Sequence, residues 1–245
     1  MAGATDRTLR ELARQLAGRI VLDLARTGAP RARGVGKLRP RPAALADGDV
    51  DVDASLDALV QAMASNSTPD LDDVVVSEWA KPDTALSLVI DKSGSMGGER
   101  LAAAGLAAAA VAWRAPDDHS VLAFADRAII IKSQDVMRDA AAVVDDVFSL
   151  RGHGRTDLDL ALRQAKAQLD RSRAKRRIVV LLSDCEPTSG ADPLAAARRL
   201  DELLIMAPTA AAEIAAAFAG AAGARLALLD GPATIPAAFA RLLQH

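Results

Sequence analysis

Asp91, Ser93 and Ser95 sit at alternate positions just after an apolar run, a spacing that could hold a metal ion. Residues 85–96 read Ala-Leu-Ser-Leu-Val-Ile-Asp-Lys-Ser-Gly-Ser-Met, and an Ala-rich helical pattern follows from about Glu99. This is a strand, a tight turn bearing oxygen side chains, and a helix. In an open α/β sheet such a turn lies outside the carboxyl end of its strand, where ligands bind. One carboxylate and two hydroxyls are hard donors that suit Mg²⁺, Mn²⁺ or Ca²⁺ rather than zinc or copper. Read alone, the string is equally a turn that caps the next helix.

Two later stretches extend the pattern. Arg151–Leu158 (Arg-Gly-His-Gly-Arg-Thr-Asp-Leu) carries Thr156 in a Gly-rich loop entering a helix. Ile178–Thr188 (Ile-Val-Val-Leu-Leu-Ser-Asp-Cys-Glu-Pro-Thr) is a second buried-type strand ending on an acid, Asp184. Catalytic alternatives lack parts. A phosphatase of the haloacid dehalogenase type needs a second acid two residues beyond Asp91, where this chain has Ser93. A serine hydrolase needs a nucleophile elbow and a histidine, but Ser93-Gly94-Ser95 lacks that frame. The histidines are His119 at a strand start, His153 in the Thr156 loop and terminal His245. A binding role, not an enzymatic one, is expected.

Together the three stretches resemble a von Willebrand factor A domain with a metal-ion-dependent adhesion site, whose motif is D-x-S-x-S, then a Thr, then an Asp. The matching positions are Asp91, Ser93, Ser95, Thr156 and Asp184, and the likeness covers about residues 84–245. The resemblance implies that Ser93 and Ser95 ligate the ion directly and that Asp91 and Asp184 act largely through water. Thr156 would join when a ligand arrives, and Lys92, at the variable position, would face that ligand. Neutral hydroxyls leave the cation much of its charge, so an Asp or Glu of a partner protein completes its shell. Asp157 and Asp159 read as helix-start acids, Asp159 as a capping-box residue. Cys185 reads as a small buried side chain.

The elements that must position these residues alternate from Thr84 onward. Strands are expected at 85–90, 119–125, 127–132, 176–183, 202–207 and 224–229, and helices at 98–113, 136–148, 157–170, 192–200, 209–222 and 234–243. This is an α/β, doubly wound, mostly parallel sheet. The hairpin at Asp126-Arg127 supplies one antiparallel edge strand. Residues 1–83 form an N-terminal helical extension to the 84–245 domain. It holds a helix over 5–27, a basic loop over 31–42, a helix near 53–65, and a strand over 73–80 that pairs at the sheet edge or packs the extension onto the main domain. Asp47, Asp49, Asp51 and Asp53 alternate, but no glycine or glutamate falls where an EF-hand needs it.

Composition limits the rest. The 245 residues are 25% charged with a net charge of −2, which excludes a general nucleic-acid binder. Aromatic residues make up 2%, too few for base-stacking platforms. No apolar run approaches the roughly 20 residues of a membrane span. A single cysteine and no signal-type segment after Met1 lead to the expectation of a cytoplasmic protein. The Ala and Arg bias suggests a GC-rich bacterial genome. Within the family, the extension resembles that of proteins associated with MoxR-type AAA+ ATPases and the CoxE-like group. That resemblance implies an adaptor linking the ATPase to a client in complex maturation or metal insertion. The alternative is a subunit like magnesium chelatase D, although the AAA-like domain and acidic linker usual there are missing.

Overall fold

Strand β4, Thr84–Asp91, is apolar on both faces because both faces are covered, and Ala85–Ile90 are fully buried. Such near-continuous apolar runs are the mark of a parallel strand between helical layers. The computed structural model describes residues 38–44, 49–79, 84–93, 99–152 and 154–244. These fall into two compact units, 38–79 and 84–244. The helix expected over 5–27, Ser95, His153 and His245 lie outside the described residues.

In the larger unit β4 is joined by β5 (His119–Phe124), β6 (Ala128–Lys132), β7 (Arg176–Leu182), β8 (Glu202–Pro208) and β9 (Arg225–Leu229). The strand order is β6-β5-β4-β7-β8-β9. Every pairing is parallel except β5 with β6, a hairpin that leaves β6 at the edge, as expected. Side chains alternate between two cores. Leu86, Leu88 and Ile90 join one cluster with Leu101, Val143 and Phe239, while Ala85 and Val89 join the other with Leu158, Leu162 and Ala215. Each fully buried Leu or Ile adds roughly 1.5–3 kcal/mol of transfer free energy.

Glu99–Arg114, Ala140–Ser149 and Ile235–Leu243 cover the first face, and Leu158–Leu169, Leu194–Ala197 and Ala212–Ala222 the second. The alanines of Glu99–Arg114 let it lie close to its neighbours. At Gly105 a Cβ would come within 2.5 Å of the Phe148 ring, so only a residue without one fits unshifted. At the open edge Ile129 and Ile130 are exposed, and the Ile131 carbonyl, beside a register shift, accepts a 2.7 Å hydrogen bond from Arg138.

The smaller unit departs from the sequence reading. Leu38–Pro42, expected in a basic loop, is strand β1. Asp49–Val50 is β2 and Val75–Trp79 is β3, and the three form a separate antiparallel sheet in the order β1-β3-β2. Thus β3 is the centre of its own sheet, not an edge strand of the main one. Pro40 and Pro42 hid β1, because prolines lack the N–H of a ladder and are tolerated only at an edge. Helix α1, Leu56–Ala64, forms as expected. The buried Ser55 hydroxyl fixes its start, donating to the Val75 carbonyl at 3.1 Å and accepting from the Val75 amide at 2.9 Å.

At the amino end of the main sheet His119 is 2% exposed. Its Nδ1 donates to the Ala115 carbonyl at 2.7 Å, while Nε2 has no partner among the described residues. Burial, with the nearby Lys132 charge, lowers its pKa to about 4. Between the unfolded value near 6.5 and the folded value near 4, the unfolded chain binds more protons. Stability is therefore full above about pH 6.5 and falls as pH drops toward 4, by up to about 3 kcal/mol. Urea unfolding across this range should show the slope, and His119→Asn should flatten it.

Candidate functional site

The strand order reverses between β4 and β7, and the carboxyl ends of these two strands carry the expected acids. Asp91 closes β4, and Ser183 and Asp184 follow β7 directly. Ser93 donates to Asp91 Oδ1 from its amide at 2.8 Å and from its hydroxyl at 2.5 Å. The Ser183 hydroxyl donates to Asp91 Oδ2 at 2.6 Å and accepts from the Cys185 amide at 3.0 Å. Both oxygens of the carboxylate are therefore held. Burial raises the Asp91 pKa, the Ser183 and Ser93 hydrogen bonds oppose that, and the neighbouring Asp184 charge adds to it.

Asp184 Oδ1 accepts from the Glu186 amide at 3.2 Å, and its other oxygen faces Arg100 at 3.9 Å. With Arg100 half exposed, that pair is weak. Cys185 takes a left-handed φ of 61°, which for a non-glycine residue costs on the order of 1–2 kcal/mol. It is buried as expected, and burial with the Asp184 and Asp91 charges pushes its thiol up to about 12, so it is no reactive thiolate.

Thr156 is buried and is tied to the loop after β7. Its amide donates to the Thr188 hydroxyl at 2.8 Å, and its carbonyl accepts from the amides of Thr188 and Ser189. The Asp157 amide ties the same loop to the Ala125 carbonyl at the end of β5. Among the described residues no hydrogen bond joins Thr156 to Asp91, Ser93 or Asp184. Ser93 thus touches Asp91 directly, Asp184 shares a cavity wall with Asp91 and acts on it through its charge, Thr156 is joined to Thr188 and Ser189 rather than to these residues, and Ser95 lies outside the described residues.

Two expectations about neighbouring residues change. Lys92 does not face outward; it is 6% exposed, and its amide extends the ladder to the Phe124 carbonyl at 2.8 Å. Asp157, not Asp159, caps helix Leu158–Leu169, accepting from the Leu160 amide at 2.9 Å. The buried Asp159 pairs instead with Arg163 one turn on. Asp157 also explains Gly190, whose φ of 88° and close approach to the Asp157 carboxylate exclude a side chain.

Ser183, Thr188 and Arg100 escaped the sequence reading. Ser183 was legible in principle, because it precedes Asp184 at a strand end. Its neighbour relation to Asp91 needed the β4–β7 register, in which Ile90 faces Leu182. Beside the carboxylates lies a cavity of about 310 Å³ whose walls include Ile90, Asp91, Arg100, Ser183, Asp184 and Leu229. Among the described residues no three His, Cys, Asp or Glu side chains gather as a metal cluster. Donors here are two carboxylates and several hydroxyls, a set that fits a hard, water-retaining cation and not zinc.

The fold and this strand-end site define a doubly wound α/β domain with a polar crevice at its topological switch point. Residues 86–187 match the family model of the von Willebrand factor type A domain. No curated protein matches the chain. Among solved structures, the manganese-loaded TRAP protein of Plasmodium vivax is 17% identical with a TM-score of 0.51, over 64% of this chain and 72% of that one. An aerotolerance-related membrane protein from Bacteroides fragilis is 14% identical with a TM-score of 0.51, over 65% and 98%. A von Willebrand factor type A protein from Catenulispora acidiphila is 16% identical with a TM-score of 0.49, over 68% and 43%, so the chain spans less than half of that relative. At these identities the likeness is one of fold.

Replacing Ser183 by Ala leaves a largely buried carboxylate oxygen short of a donor. The expected cost is about 1–3 kcal/mol in urea unfolding, against a few tenths for Ser183→Thr if the hydroxyl keeps its place.

Proposed function

We propose that the chain is a binding protein whose strand-end site holds a divalent cation, Mg²⁺, Mn²⁺ or Ca²⁺, and through it engages an Asp or Glu of a partner protein. The observation that carries this reading is the Asp91 carboxylate, gripped by Ser93 and Ser183 beside Asp184 at the mouth of a cavity. Ser93 and Ser95 are the direct ligands in this reading, Asp91 and Asp184 orient water and hydroxyls, and Thr156 completes the set. A bound ion would supply an open coordination position for an outside carboxylate. The chain's own residues do the rest. Ser93 and Ser183 fix the Asp91 carboxylate, the Thr188 and Ser189 amides hold the Thr156 loop, and the partly exposed Asp184 lines the cavity.

The manganese in the TRAP protein of Plasmodium vivax supports a divalent ion in this fold. None of the described helices is long and apolar enough to cross a membrane. The partner in this proposal is a MoxR-type AAA+ ATPase and its client, with the chain as a cytoplasmic adaptor in complex maturation or metal insertion. Support for that finer step is the motif together with the resemblance of residues 1–83 to the extension of that group.

Calorimetry with Mg²⁺ and Mn²⁺ tests the ion. Ser93→Ala should lose most of the affinity, about tenfold or more, and equal binding would remove Ser93 from the ligand set. The partner is tested separately with a purified MoxR-type ATPase immobilised as bait. Retention of the wild-type chain should fall on adding EDTA and with Asp91→Ala; retention unaffected by both would overturn the metal bridge.

A further inference from the structure

The smaller unit has a surface that the strand-end site does not use. Residues 49–79 carry eight acidic side chains, seven Asp and Glu78, and no Lys or Arg. The same stretch holds six of the twelve exposed large apolar side chains among the described residues: Val50, Val52, Leu56, Val60, Met63 and Leu71. Three of these, Leu56, Val60 and Met63, are spaced i, i+4, i+7 on α1, so they share one face of that helix. They are 54%, 56% and 82% exposed, while Ala62 is the one buried residue of α1.

An amphipathic helix normally turns its apolar stripe to the core. Here the helix is anchored by Ser55 to β3 and keeps Ala62 inward, while a complete second stripe faces water. Asp57 borders that stripe within the first turn, and the exposed Asp53 precedes it. Scattered exposed apolar residues need no explanation, but an aligned stripe rimmed by charge of one sign marks an interaction surface. The rim also specifies its occupant. Among the described residues of 38–79 eight acids stand against two bases, Arg39 and Arg41 of β1, and that excess would repel an acidic partner and attract a basic one.

We propose that the α1 face is a docking site for a basic amphipathic helix of another protein. Leucine-type side chains of that helix would lie along Leu56, Val60 and Met63, and its Lys or Arg residues would meet Asp53 and Asp57. The proposal does not depend on a metal ion at Asp91.

The test uses the full chain and a fluorescein-labelled Leu/Lys peptide with leucines at i, i+3 and i+4, with a Leu/Glu peptide of identical pattern as control. In fluorescence anisotropy the Leu/Lys peptide should bind saturably and weaken with added salt, and the Leu/Glu peptide should not bind. Val60→Asn with Met63→Gln should weaken binding about tenfold or more. Asp53→Asn with Asp57→Asn should weaken it several-fold and flatten the salt dependence. All four positions are exposed, and circular dichroism of each variant checks that the fold persists. Absence of binding, binding that survives the Val60/Met63 changes, or equal binding of the Leu/Glu peptide would overturn the proposal. Sedimentation showing a dimer that those changes abolish would also overturn it, assigning the stripe to a second copy of the chain.

Discussion

The larger unit depends on a carboxylate that has been drawn most of the way out of water at the tip of its central strand. Burying Asp91 raises the free energy of its charged form, and the compensation is specific: an amide and a hydroxyl from Ser93 on one oxygen, a hydroxyl from Ser183 on the other. Those bonds require β4 and β7 to be neighbours in parallel register, since Ser183 follows the residue that faces Ile90. Register in turn is secured by the two apolar faces, because a slip of one residue would exchange the side chains of the two cores. Core packing and site geometry are therefore one constraint viewed from two ends of the strand.

Much of this was legible in the sequence, for a physical reason. Runs such as Ala85–Ile90 and Ile178–Leu181 are apolar at every position or nearly so, and only a strand covered on both sides accommodates that. Helices rich in Ala and Leu alternate with them, so the α/β class and the β5–β6 hairpin follow from periodicity. The acids at strand ends follow from the abrupt change in polarity. Pairwise relations were not legible. Ser183 meeting Asp91, Thr188 holding the Thr156 loop and Asp159 choosing Arg163 all depend on segments far apart in sequence or on a rotamer choice.

The smaller unit was harder to read. Its strands are short, β1 contains two prolines and β2 has only two residues, so neither shows a period. Its helix was found because nine residues with apolar side chains at helical spacing do show one. Spacing alone puts Leu56, Val60 and Met63 on one face of that helix but cannot say whether the face meets a core or water. Burial settles this, because Leu56, Val60 and Met63 stay open.

The outer edge of the main sheet illustrates a further balance. Ile129 and Ile130 leave part of β6 apolar and exposed, a profile that invites another chain to add a strand. The shifted register at Ile131 and the guanidinium of Arg138 on its carbonyl occupy part of the ladder that such an addition would need. One side chain and one irregular residue thereby interrupt the ladder on which a further strand would have to build.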